Sequence, residues 1–198
     1  MNLSVTAGTN ALTALFTLLN GGTLNLYTGP PPATVGTALS GNTLIGTVDI
    51  AATALSGSIT ASGDNVVGTL AFAASTFTTV AAGTITFGRA LTSTAAATQD
   101  LGASSIWLAS TAVVLNQMAS NGGNLYICTT AGTTAASGGP TGTGSGITDG
   151  TAVWAYVQPG TASITLNNVA VTNNLTVTIG SSTISLPITN PVGSALVT

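Results

Sequence analysis

The polar part of this chain is almost entirely Thr, Ser, Asn and Gly; only five of its 198 side chains carry a formal charge. These are Arg89, Asp49, Asp64, Asp100 and Asp149, and Lys, Glu and His are absent. An average soluble domain is about a quarter charged, so roughly fifty such groups would be usual for this length. Thr and Val favour extended backbone, while Gly and Asn favour turns. The composition therefore predicts an all-β protein of many short strands. Apolar residues make up 44% of the chain, enough for one or two domains with a real core.

Competing classes fall away on the same grounds. Disordered chains pair low hydropathy with high net charge, whereas mean hydropathy is +0.58 and net charge −3. The 25 glycines have no period of three, which excludes collagen. Repeated Gly interruptions and seven prolines argue against an amyloid-like native state. The nearest candidate span, residues 69–87, is broken by Thr, Ser and Gly and lacks basic flanks. Nine aromatics are too few for the girdles of a membrane barrel, so no membrane partner is expected. Met1-Asn2-Leu3-Ser4 has no basic n-region, and the apolar stretch 11–19 is short and amphipathic. Synthesis in a cytoplasm without general secretion is the expectation.

Few residues are equipped for chemistry. A serine nucleophile needs a His or Lys base, and neither exists. Paired-carboxylate hydrolysis needs two acids across a substrate, but the four aspartates lie in separate segments. Asp64 and Asp149 read as turn residues, Asp49 as a paired or exposed strand residue, and Asp100 as a partner for Arg89 that clamps the loop between them. Asp64 with carbonyls leaves an oxygen-rich calcium site open as a minor alternative, with no EF-hand or repeat loop to support it. Cys128 is single, so no intrachain disulfide forms, and its alternating segment reads as a strand with a buried structural thiol. The glycines of 138–146 lack the Lys and helix of a phosphate loop. One Arg cannot neutralise a run of phosphates, so no nucleic-acid partner is expected. The chain is thus read as a non-enzyme with no catalytic residue, cofactor or metal. Trp107, Tyr126, Trp154 and Tyr156 are the candidate glycan- or partner-contacting aromatics, with core packing as the default.

Along the chain, residues 10–19 predict one helix. Leu12, Leu15, Phe16 and Leu19 form a single stripe, Thr9 or Asn10 serves as cap, and Gly21-Gly22 ends it. Strands are predicted at 24–28, 44–50, 58–61, 65–72 and 83–91, with a Thr/Ala connection at 93–102. Residues 104–160 hold both tryptophans, Tyr126 and Tyr156, with a mobile Gly/Ser/Thr loop between strands at 124–129 and 152–157. Residues 163–188 alternate again, with turns at Asn173-Asn174 and Gly180-Ser181-Ser182. Strands spaced in this way suggest a sandwich or barrel.

Two stretches resemble known proteins. Gly22-Thr23-Leu24-Asn25-Leu26-Tyr27-Thr28-Gly29, with Pro32-Ala33 and 37–48, resembles the opening of small virion proteins of tailed bacteriophages; 164–168 and 184–187 resemble their close. The middle, carried by 123–134, 140–144 and Asp149-Gly150-Thr151-Ala152-Val153-Trp154-Ala155-Tyr156-Val157, resembles a unit of phage head and tail-fibre proteins. This chain departs from such proteins in carrying fewer charges. The resemblance implies a virion structural protein of head decoration or minor capsid type, on the surface of the phage head. Its partners would be the major capsid protein and copies of itself, as a homotrimer. The alternative is a tail-fibre or adhesin-type module that binds host glycan, or another tail component. The expected architecture is an antiparallel β-sandwich, jelly-roll-like, with one short N-terminal helix and a small inserted β lobe. Residues 1–102 and 161–198 would form the sandwich and 103–160 the aromatic lobe, with Tyr126 and Trp154 as its core anchors.

Overall fold

The computed structural model describes residues 3–32, 34–62, 65–157 and 162–187. A single helix, α1 (Val5–Leu19), precedes β1 (Thr23–Tyr27), β2 (Leu44–Ser62), β3 (Asn65–Phe72), β4 (Thr76–Thr78), β5 (Gly83–Thr84), β6 (Phe87–Leu91) and β7 (Ala97–Ile106). Next come β8 (Ala112–Val113), β9 (Met118–Asn121), β10 (Asn124–Thr130), β11 (Gly132–Thr133), β12 (Ile147–Asp149) and β13 (Ala152–Val157). The last strands are β14 (Ser163–Leu166), β15 (Ala170–Val171) and β16 (Thr176–Pro187). The protein is all-β, as its composition predicts.

Seven strands close into a barrel in the order β7-β14-β16-β3-β2-β1-β6, with β6 pairing back onto β7. These pairings describe one sheet closing on itself, where a jelly-roll-like sandwich would present two facing sheets. Nor is the arrangement wholly antiparallel: β7 runs parallel to β14 and to β9. Closure follows from the alternation of β1, whose Leu24 and Leu26 point inward while Thr23, Asn25 and Tyr27 are half-buried. Buried Val66 and Leu70 of β3, Ile164 and Leu166 of β14, and Val177, Ile179 and Ile184 of β16 complete the same core.

The helix begins earlier than the sequence suggests. Ser4, not Thr9 or Asn10, is the cap, its hydroxyl accepting from the Ala7 N–H at 3.1 Å. The extra turn is hidden in the sequence because Val5, Thr6 and Gly8 are indifferent helix formers; burial of Gly8 beside Leu12, Phe16 and Leu19 offsets that weakness. Phe16 sits over Gly68 of β3, where a Cβ would lie only 2.4 Å from the ring. Because Ser4 is exposed and supplies one cap bond, Ser4→Ala should cost about 1 kcal/mol, read as a lower denaturation midpoint with an unchanged slope.

Three further expectations are corrected. The Thr/Ala run read as a connection is largely β7, a central strand. Its buried positions include Leu101, Ala103, Ser104 and Ser105, so burial there does not coincide with large apolar side chains. Gly180-Ser181-Ser182 is not a turn; it lies inside β16, where Leu166↔Ile179 and Thr165↔Ser181 leave Gly180 as the extra residue of a bulge. The candidates at 44–50 and 58–61 are one strand, β2, made irregular between Ile50 and Leu55 and between Ser56 and Thr60.

A second buried cluster comprises Val113, Ala119, Tyr126, Cys128, Ala152 and Trp154, with Trp107, Ile147 and Tyr156 against it. Its sheet runs β9-β10-β13-β12 and joins the barrel through β7. The first half of β7 pairs with β6 and its last residues pair with β9, so the expected boundary at 102/103 falls inside a strand shared by both bodies. The other expected boundary, at 160/161, and the predicted strand's Ile188 lie outside the described residues.

Candidate functional site

Arg89, the only Lys or Arg in the sequence, faces Asp100 across the β6–β7 seam. The pair is bidentate: Nε to Oδ1 and Nη2 to Oδ2, each at 2.8 Å. Nη1 also donates to the Thr37 carbonyl at 3.2 Å, which ties the 30–43 loop to the barrel. The Asp100 hydrogen bond, opposed by desolvation, holds the guanidinium above its ordinary pKa. The expected clamp is present, and it also draws on Thr37, which no local pattern in the sequence marks out.

Asp149 occupies the expected turn: Gly150 has φ 67°, and a Cβ there would strike the Thr133 carbonyl oxygen. Its carboxylate nonetheless points into the second cluster and is buried. Oδ2 accepts the indole N–H of Trp107 at 2.7 Å and that of Trp154 at 3.2 Å, while Oδ1 accepts the Ala135 N–H at 2.9 Å. Asp49 is exposed on β2, and Asp64 lies outside the described residues. Among the described residues no three His, Cys, Asp or Glu side chains gather as a metal site.

The four candidate aromatics divide. Trp154 and Tyr126 are fully buried and serve as the expected core anchors, Trp154 opposite Cys128 and Tyr126 opposite Tyr156. Tyr126 and Tyr156 meet edge to face at 6.2 Å. Neither Trp154 nor Tyr126 presents a face to a ligand. Trp107 and Tyr156 are half-buried.

The Gly/Ser/Thr loop expected to be mobile is instead held along its length. Tyr126 Oη donates to the Gly142 carbonyl, Asn121 Nδ2 to those of Gly138 and Pro140, and the Tyr156 N–H to that of Gly144. Composition alone concealed this, because the anchoring side chains lie outside the loop.

Cys128 is fully buried, and burial pushes its thiol pKa up. A raised folded-state pKa favours the protonated form, so this contribution to stability is complete below the ordinary thiol value and is lost as pH rises through the raised one. Unfolding midpoints should therefore decline on the alkaline side, and Cys128→Ala should remove that part of the decline. Iodoacetamide should label the thiol only when denaturant is present.

Two surface features were not legible as sites. Ile106, Leu108, Val114 and Leu115 are 69%, 55%, 40% and 52% exposed within one ten-residue stretch of the lobe. Val113-Val114-Leu115 is a plain apolar run in the sequence, and only the structure separates the buried member from the exposed two. The other feature is a groove of about 600 Å³ where the lobe meets the barrel, lined by Ile106, Trp107, the 120–125 hairpin, Ser163 and Thr165.

Comparison with known proteins finds no matching family model, no matching curated protein and no matching solved structure.

Proposed function

We propose that this chain is a non-catalytic structural component of a tailed-phage particle, a head decoration protein that bridges neighbouring capsid subunits and holds the shell against internal pressure. Its partners are the major capsid protein and further copies of itself, as a trimer in keeping with the resemblance. The carrying observation is the exposed apolar stretch at Ile106, Leu108, Val114 and Leu115, on a chain whose one Arg and two of whose four aspartates are used internally. Burying such a surface avoids the desolvation cost of ions. Four large apolar side chains left exposed within one short segment are what such a docking surface would use.

Barrel closure refines the mechanism. A closed sheet offers no strand edge to a partner, and among the described residues the large sheet's free edges include the three-residue strands β12 and β4. Docking therefore rests on side-chain area more than on strand pairing. The test is to strip the protein from purified particles and measure shell survival under heat and osmotic shock. Survival should fall and return on adding the protein back; unchanged survival overturns the proposal.

The tail-fibre or adhesin reading is favoured by one observation, the half-buried Trp107 beside an open groove. That groove can act independently of where on a particle the protein sits.

A further inference from the structure

We infer that the groove between lobe and barrel is a binding site for neutral saccharide, with Trp107 as its stacking platform. This goes beyond the docking proposal, and the groove shares only Ile106 with the apolar stretch that carries it. The groove, about 600 Å³, has the size of a small-ligand cleft and lies where two packed bodies meet.

Trp107 is held as a platform needs to be. Its indole N–H is tied to Asp149 Oδ2 at 2.7 Å, which fixes the ring's orientation from within the lobe. Gly139 backs the ring: a Cβ added there would lie 3.0 Å from Cδ2. A ring so fixed loses little conformational entropy on binding. Its quadrupole suits the C–H faces of a pyranose, an amphipathic partner with an apolar face and a hydroxylated rim.

The rest of the lining supplies that rim. Asn121 and Asn124 stand at either end of the Gly122-Gly123 turn, where a Cβ would meet nothing within 4 Å, so the wall stays low and open. Asn124 Nδ2 is occupied by Tyr126 Oη and Asn121 Nδ2 by the Gly138 and Pro140 carbonyls, so both amides are oriented with their oxygens as acceptors for sugar hydroxyls. Thr165 adds a hydroxyl from the barrel side. Among the described residues the lining holds no Arg, so neither a phosphorylated nor a carboxylated ligand finds a counter-charge there. Uncharged amide and hydroxyl groups around one indole match a neutral glycan.

The experiment is calorimetric titration of the full chain with maltohexaose, cellohexaose and chitohexaose, alongside polygalacturonate as an acidic control. At least one neutral hexaose should bind saturably, and the acidic polymer should bind more weakly. Asn124→Leu removes the rim acceptor and should weaken binding at least tenfold, whereas Asp49→Asn, on the far β2, should leave it unchanged. Trp107→Phe keeps an aromatic ring but not its tether, and should weaken binding with the far-UV spectrum retained. Absence of saturable binding to all three hexaoses overturns the inference. So does binding that Asn124→Leu leaves untouched, or binding that prefers the acidic polymer. Unchanged shell survival in the particle assay would overturn docking and leave this site standing, and failure here would leave the docking proposal standing.

Discussion

Arg89→Met should lower the unfolding free energy by about 3 kcal/mol, the low end of what removing one partner of a buried ion pair costs. The cost arises mainly from what remains. The Asp100 side chain is only 15% exposed and would keep its charge at the barrel seam without a bidentate partner. The Thr37 carbonyl would lose its donor at the same time. For a chain of this size the loss corresponds to a fall in melting temperature of about 6–12 °C. Replacing both partners, as Arg89→Met with Asp100→Leu, should recover most of it, since an apolar pair of similar volume leaves no stranded charge. A single-variant loss under about 1 kcal/mol would mean that the pair behaves as a surface bridge. In that case closure of β6 on β7 would rest on backbone pairing alone.

Asp149→Ala should cost about 4 kcal/mol. It strands three N–H donors, two indole and one backbone, each worth roughly 1–3 kcal/mol when left without an acceptor, and the half-buried Trp107 lets water relieve part of that. Asp149→Asn should cost about half as much, because one amide oxygen still accepts while the amide nitrogen faces a donor. Tryptophan emission should shift to the red in both variants as the indoles meet water. A near-neutral Asp149→Ala would show that Trp154 is held by packing alone and that the carboxylate is incidental. The two variants act on different clusters, so their combined cost should be close to additive.

What the sequence disclosed tracks how closely burial follows residue size. Leu24 and Leu26 in β1, or Ile164 and Leu166 in β14, alternate in both hydropathy and burial, so those strands could be read directly. β7 could not, because its first half is the Thr/Ala run that reads as a connection and Gly102, Ala103, Ser104 and Ser105 fill a tight seam with small side chains. Ser4 is hard to read as a cap because Val5-Thr6 resembles the start of a strand, and the tertiary fit of Phe16 over Gly68 outweighs that local preference. The Arg89–Asp100 pair was legible only because one cation leaves few choices; its third bond, to Thr37, depends on a loop course no local pattern encodes. Asp149 was legible as a turn and not as a buried acceptor, since its partners Trp107 and Ala135 lie 42 and 14 residues away. The same limit hid the groove, whose walls come from the ends of β7 and β9, the start of β10, and β14.

The most direct test of docking through an uncharged surface is to follow rebinding of the purified protein to stripped phage shells across a salt series. Occupancy should stay within about twofold from low salt to about 1 M, where the Debye length has shrunk to about 3 Å. Leu108→Asp combined with Leu115→Asp should abolish rebinding while the folded spectrum is kept. Steep loss of wild-type binding with salt, or full binding by the double variant, would contradict the account.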